Sequence, residues 1–147
     1  MKVAPGDPYH LHRFVEAQDP VYAQVCDELK QGYKTGHWMW FIFPQIAGLG
    51  TSAMARRFAI SSLAEAEAYK QHAVLGPRLE ECAALVLRVS GKSVNEILGS
   101  PDDLKFRSCM TLFARTATKN PVFLDNLTKY FGGKSDPLTT EFLRSAG

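Results

Sequence analysis

Five times along this chain, a residue that can cap a helix is followed directly by proline. The pairs are Asp7-Pro8, Asp19-Pro20, Ser100-Pro101, Asn120-Pro121 and Asp136-Pro137. The Asp, Asn or Ser side chain can accept a hydrogen bond from a free N–H group of the first helical turn. Proline at the next position has a helical φ and lacks only an N–H that would have no partner there. Five such helix starts in 147 residues predict an all-α protein.

The spacing of the apolar residues agrees with this prediction. Leu11, Phe14, Val15 and Gln18 share one face of a helix, and Ser62 and Ser93 each open a capping box. We predict a single compact domain, residues 7–145, of about seven to nine helices. The segments are one after Asp7, one after Asp19 to near Gly32, Trp38–Phe43, Thr51 or Ser52 to Ala59, Ser62–Lys70, Pro77–Val89, Ser93–Gly99, Pro101–Thr118 (with Phe106, Cys109, Met110, Phe113 and Ala117 inward), Pro121–Phe131 and Pro137–Arg144.

The segment Tyr33–Thr51 holds both tryptophans and the longest apolar run, Trp38–Phe43. Its bulk and lack of charge predict that the run is buried and that the other helices pack around it. Six apolar residues in a row do not fix a period, so a strand is the competing interpretation. A short helix ending at Pro44 is favoured, since no second strand-like segment is present to pair with it.

Composition excludes several classes of protein. The formal charge of +2 and the absence of a Lys/Arg stripe argue against nucleic-acid binding. The longest apolar run is far short of the roughly 20 residues that span a bilayer, and the N-terminus has no apolar signal core. Cys26, Cys82 and Cys109 are odd in number and lie among apolar neighbours, so they are predicted to be reduced thiols. We therefore expect a soluble cytoplasmic protein.

Several long motifs resemble one known family. They are the stretch from Arg13 to Gly50 that contains HWMWFIFPQ, then LGPRLEEC, PDDLKFRSCMTLF and KYFGGKSDPLT. Together they resemble a mainly bacterial family of unknown function, whose members sometimes carry the automatic label "calpastatin". The resemblance spans Leu11 to Leu143 and implies an all-α fold. Tyr33 and Cys109 depart from the family's usual basic residue and serine. Calpastatin itself is disordered and built of repeats, unlike this aromatic-rich chain.

The first candidate site lies around the tryptophans. His37 stands directly before Trp38 and Trp40, with Lys34 and Gln45 on either side. One interpretation is a pocket wall where a planar ligand stacks on an indole while His37 binds it or transfers a proton. The other is that the tryptophans only fill the core. If the pocket exists, His37→Ala is expected to abolish binding, and Trp40→Ala is expected to cost on the order of 3–5 kcal/mol of stability in either case.

A second candidate is the turn Gly48-Leu49-Gly50, which leads into a helix carrying Arg56. Free N–H groups at a helix start can bind a phosphate or carboxylate, and an arginine one turn later can clamp it. The spacing matches neither a Walker loop nor a dinucleotide-binding turn. A tight turn before a surface helix is the simpler interpretation.

The third candidate pairs Lys105 with Ser108, one helical turn apart, as base and nucleophile. The simpler interpretation is structural. In it, Asp102 and Asp103 lie at the positive end of the helix dipole, and Asp103 pairs with Arg107.

These candidates lead to two hypotheses about function. The first is a binding domain for a small anionic ligand with a planar part, such as a nucleotide or an ADP-ribose-like metabolite, held by Lys34, His37, Trp38, Trp40, Gln45, Gly48, Gly50 and Arg56. The second is a protein-interaction or adaptor domain without chemistry. The sequence leaves open whether the chain is an enzyme and which oligomer it forms. No metal and no cofactor are predicted, because no His/Cys/carboxylate cluster has ligand spacing and His10 and His12 do not share a helix face.

Overall fold

The computed structural model describes residues 6–117 and 120–146. In these residues there are ten helices and no strand beyond one isolated parallel bridge between Ile46 and Ile60. The helices are α1 His12–Gln18, α2 Tyr22–Gln31, α3 Met39–Ile42, α4 Ala53–Arg57, α5 Leu63–Gln71, α6 Leu75–Arg88, α7 Val94–Leu98, α8 Asp102–Ala114, α9 Pro121–Phe131 and α10 Pro137–Ala146. The all-α prediction is confirmed. Each of the ten helices corresponds to one of the ten segments named from the sequence, and their number is one above the predicted seven to nine.

The core contains aromatic rings that pack against one another from segments distant in sequence. Phe43, directly after α3, packs edge-on against Phe106 of α8 with ring centroids 4.9 Å apart. Phe14 of α1 packs edge-on against Tyr69 of α5 at 5.1 Å. The predicted buried segment is therefore central, and it is a helix rather than a strand. One of its members, Trp40, is only half-buried.

Two of the five Asx/Ser-Pro pairs start helices as predicted. Asn120 Oδ1 accepts the backbone N–H of Val122 at 3.0 Å, and α9 begins at the adjoining proline. Asp136 Oδ2 accepts the backbone N–H of Thr139 at 2.9 Å, and α10 begins at Pro137. In both places the carboxylate or amide oxygen satisfies an N–H group that has no partner within the helix.

In the other three pairs no helix begins at the adjoining proline; Asp7 still caps a helix as predicted, whereas the caps predicted at Asp19 and Ser100 are wrong. The Asp7 carboxylate accepts the N–H groups of Leu11 and His12 and thus caps α1 from a turn further upstream. Asp19 instead forms an ion pair with an arginine of α6. Ser100-Pro101 precedes α8, but no side-chain cap bond is found there. A cap requires a particular backbone conformation as well as a suitable residue type.

Several boundaries also differ from the prediction. α6 begins at Leu75 rather than Pro77. α8 ends at Ala114, and Ala117, expected on its buried face, is exposed in the turn that follows. The predicted end at Thr118 lies outside the described residues. The capping box at Ser93 is present. The one predicted at Ser62 is only half formed, because the Ser62 hydroxyl accepts the N–H of Glu65 but the Glu65 carboxylate accepts the N–H of Ser61.

Cys26, Cys82 and Cys109 are unpaired thiols, as predicted. Among the described residues, no helix combines the length and the apolar character needed to cross a bilayer.

Candidate functional site

Two adjoining cavities lie on either side of the turn after α3. The smaller, of about 170 Å³, is lined by Trp40, Gln45, Ile46, Ala47, Gly48, Gly50, Ala55, Arg56, Phe58 and Ala59. The larger, of about 580 Å³, lies between this turn and the helices α8 and α10. It is lined by Gln45, Leu49, Gly50, Thr51, Ser52, Ala55, Pro101, Leu104, Lys105, Arg107, Ser108, Asp136 and Leu138. Gln45, Gly50 and Ala55 belong to both linings, so the two cavities share a wall.

The shared wall is a closed loop from Gln45 to Ile60. The Ile60 N–H donates to the Gln45 carbonyl oxygen, and the Ala47 N–H donates to the Ile60 carbonyl oxygen, each at 2.8 Å. Gly50 lets the loop pack against α4, because a Cβ at this position would lie 2.7 Å from the Cβ of Ala55. The loop therefore has a fixed base and a tight contact with α4.

Arg13 of α1 holds the far end of this loop. Its guanidinium donates to the carbonyl oxygens of Arg57 and Ala59 at 2.9 Å each, and to the Glu65 carboxylate at 2.9 Å. Glu65 is buried and also accepts bonds from the backbone and hydroxyl of Ser61. A charge-assisted network thus fixes the back of the smaller cavity.

Trp40 and Lys105 connect the aromatic segment to α8. The Lys105 ammonium lies 5.0 Å from the centroid of the Trp40 ring and 3.6 Å from Asp102 Oδ1. Trp40 lines the smaller cavity and Lys105 lines the larger one. A cation thus lies between the half-buried indole and the larger cavity, where it can meet a ligand anion.

The Lys105 and Ser108 side chains line the same cavity but show no base–nucleophile contact. The Ser108 hydroxyl is buried and donates to the Leu104 carbonyl oxygen at 3.2 Å. The Lys105 ammonium faces Asp102 and Trp40 instead, and the described residues contain no hydrogen bond between Lys105 and Ser108. This geometry favours binding over nucleophilic catalysis by this pair.

Three of the residues singled out in the sequence do not line either cavity. Trp38 is only 2% exposed, and its indole N–H donates to the Glu28 carboxylate at 3.0 Å. The Lys34 ammonium lies 2.9 Å from Asp102 Oδ2 and packs over the Trp38 ring. His37 is exposed away from both cavities, and within the described part of the chain its side chain has no hydrogen-bond partner.

Sequence reasoning missed Glu28, which explains this arrangement. One carboxylate oxygen accepts the backbone N–H groups of Thr35 and Gly36 at 2.7 and 2.9 Å as well as the Trp38 indole N–H. Burial alone would raise the pKa of Glu28, but hydrogen bonds from Gly36, Gln24, Thr35 and Trp38 lower the pKa to about 2. The buried Glu28 carboxylate therefore fixes the position of the segment before α3. The only sequence signal was its position on α2 beside the apolar residues Val25 and Leu29.

The glycine turn differs from an anion-binding helix start. α4 has only five residues, and the Ser52 hydroxyl already accepts the backbone N–H of Ala55 at 3.1 Å. Arg56 is exposed at the rim of the smaller cavity. An anion in this region would therefore meet the Arg56 and Lys105 side chains rather than a row of free N–H groups.

With this geometry established, comparisons with known proteins give the family. A family model described as "Protein of unknown function (DUF1810)" matches residues 8–143. The chain belongs to the DUF1810 family. The fold of this DUF1810 chain is similar to the crystal structure of the conserved hypothetical protein Rv1873 from Mycobacterium tuberculosis. The two are 56% identical, with a TM-score of 0.93 over 94% of this chain and 99% of the other.

Membership in DUF1810 confirms the resemblance found in the motifs to a family of unknown function. The structural similarity also supports the all-α fold. No protein with a curated description matches the chain. The comparisons therefore establish the family and the fold, and an assignment of function rests on the chemistry of the two cavities.

Proposed function

We propose that this chain binds a small anionic molecule with a planar part in the two joined cavities. The observation that carries the proposal is that seven residues chosen from the sequence meet there. Trp40, Gln45, Gly48, Gly50 and Arg56 line the smaller cavity, and Gln45, Gly50, Lys105 and Ser108 line the larger. Lys34, His37 and Trp38 are left out of the proposal, because none of them lines either cavity.

The chemistry of these walls supports such a ligand. The half-buried Trp40 indole offers an aromatic surface, and Gln45 offers an amide donor and acceptor between the cavities. Arg56 and Lys105 place one cation at each cavity, so an elongated anion spanning the shared wall would meet a positive charge at both ends. The ligand class suggested by the sequence, a nucleotide or ADP-ribose-like metabolite, has a planar base that could face Trp40 and phosphates that could meet one of these cations.

The second candidate is an adaptor domain that binds a protein and no small molecule. It is supported by Trp38, which is part of the core, and by His37, which lies outside both cavities. Under this proposal the cavities are ordinary depressions of the surface beside a packed aromatic core and bind no small molecule. A cytoplasmic location stays a prediction under either candidate.

The test is a ligand screen by thermal shift and tryptophan fluorescence. The purified chain is mixed with nucleotides, nicotinamide cofactors, ADP-ribose and simple phosphorylated metabolites. A ligand in the smaller cavity should raise the melting temperature and change the fluorescence of Trp40. Trp40→Phe should remove the fluorescence change while leaving Trp38 as an internal reference.

Charge-removing variants then decide where a ligand binds. Arg56→Ala and Lys105→Met should each raise the dissociation constant on the order of tenfold, the equivalent of one charge-assisted contact. Arg88→Ala and Lys30→Met, which remove exposed cations outside both cavities, should leave the affinity unchanged. No response to the whole panel would contradict the proposal and favour the adaptor domain.

A further inference from the structure

The larger cavity has an apolar rim that an anionic ligand of the nucleotide type does not use. Leu104 of α8 is 58% exposed and Leu138 of α10 is 66% exposed, and both line this cavity. Single exposed leucines are ordinary on protein surfaces. Two that face one cavity, beside Leu49 and Pro101, form an apolar wall that is open to solvent.

The rest of the lining is mostly polar and includes a lysine. Lys105 lies there with Gln45 and the exposed residues Thr51 and Ser52. The Lys105 ammonium makes one longer contact, 3.6 Å to Asp102 Oδ1, whereas the other charged residues of the lining have closer partners. The Arg107 guanidinium donates to the carbonyl oxygens of Lys134 and Ser135, and Asp136 accepts the backbone N–H and the hydroxyl of Thr139.

We propose that the larger cavity takes the hydrocarbon arm of a free amphiphilic anion, with its phosphate or carboxylate at Lys105 and its chain between Leu104 and Leu138. This inference rests on the proposed function and narrows its ligand class. A volume of about 580 Å³ lies within the usual range of small-molecule sites, so it holds an arm of several carbons. The smaller cavity, at about 170 Å³, has room only for a compact group.

The shape and charge of the site favour a dissolved molecule over a membrane surface. The apolar wall lines a concavity instead of projecting as a flat face. Lys105 is the cation of this cavity that is not bound to backbone carbonyls, whereas attachment to an anionic bilayer depends on several basic residues at one surface. Each methylene placed in the cavity adds apolar contact that inorganic phosphate cannot make.

The experiment measures binding of a homologous series by calorimetry on the full chain. The probes are inorganic phosphate, butyl phosphate and octyl phosphate, each below the concentration at which it forms micelles. The dissociation constant should fall on the order of tenfold or more from butyl to octyl phosphate. Leu104→Ser and Leu138→Ser should remove most of this chain-length dependence. Leu124→Ser, which changes a leucine of α9 that is 56% exposed and outside both cavities, should preserve it.

The outcomes separate this inference from the proposed function. If binding depends on Lys105 but the affinity is the same for all chain lengths, the apolar arm is excluded and the anion site stands. If octyl phosphate binds Leu104→Ser and Leu138→Ser as tightly as the unmodified chain, the hydrocarbon arm lies elsewhere and the inference is wrong. Binding only to vesicles of phosphatidylcholine and phosphatidylserine, with none to the monomeric phosphates, would overturn it in favour of a membrane surface. If no phosphate and no member of the nucleotide panel binds, both proposals fail.

Discussion

Trp38 and Trp40 are two positions apart in sequence but have opposite environments. Trp38 is fully packed, and its indole N–H is satisfied by the buried Glu28 carboxylate. Trp40 is half-buried beside a cavity, with the Lys105 ammonium over its ring. Trp38 is the N-cap of α3 and has non-helical backbone angles, whereas Trp40 lies within the helix, so the two indoles have different surroundings.

The difference shows that residues of one aromatic run can have different environments and different roles. The segment up to Trp38 is held by the buried Glu28 carboxylate and stabilises the fold. Trp40 is the member of the run that lines a cavity, whereas Phe41, Ile42 and Phe43 after it are buried. The predictions that follow test this division, beginning with the largest effect.

Trp38→Ala should reduce the free energy of unfolding on the order of 3–5 kcal/mol. The substitution removes a large ring from the core and also deprives the Glu28 carboxylate of one donor. Urea unfolding followed by circular dichroism measures the change. A loss no greater than that of Trp40→Ala would contradict the structural role assigned to Trp38.

Glu28→Gln should lower the free energy of unfolding at neutral pH on the order of 2–3 kcal/mol. The folded-state pKa of Glu28 is depressed from 4.5 to about 2. Its contribution is therefore complete above pH 4.5 and is lost as the pH falls toward 2. The stability difference between the unmodified chain and Glu28→Gln should shrink over this interval in urea titrations at several pH values. Glu16→Gln, at an exposed site, should follow the unmodified chain throughout.

Trp40→Ala should cost only about 1–2 kcal/mol, because its ring is half-buried. The sequence alone predicted the larger loss expected of a core tryptophan. The same variant should lose the affinity of any ligand found in the screen, which calorimetry can measure. Unchanged affinity would place the ligand away from the smaller cavity.

His37→Ala should change the free energy of unfolding by less than about 0.5 kcal/mol, since its side chain is exposed. It should also leave ligand affinity unchanged, which reverses the prediction made from sequence. The same calorimetric titration measures the affinity. A large loss of affinity would show that His37 contributes to binding.

The fold was largely predictable from the sequence. Capping residues and apolar spacing located nearly every helix, because these signals act within a few neighbouring residues. The helix starts at Asp7, Asp19 and Ser100 were misplaced, since a side chain able to cap can also form other contacts. Asp19 shows this directly, because its partner is an arginine on α6 that is distant in sequence.

Only part of the lining of the candidate site could be predicted from the sequence. Gln45, Gly50 and Arg56 follow the aromatic run closely, so local sequence could associate them with Trp40. The approach of Lys105 to Trp40 depends on how α8 packs against α3, which no local pattern specifies. His37 lies outside both linings, after a segment held by Glu28, a buried carboxylate that sequence reasoning would assign to the surface.

The lining of the larger cavity extends from Gln45 to Leu138, and the wall it shares with the smaller one is held from α1 by Arg13. Both ends of the chain must therefore be in place before the site is complete. A ligand that requires this arrangement would bind only the fully folded chain and would shift the equilibrium of the whole molecule toward it. Binding would then slow hydrogen exchange in α1 and α10 together, although α1 touches no part of the ligand.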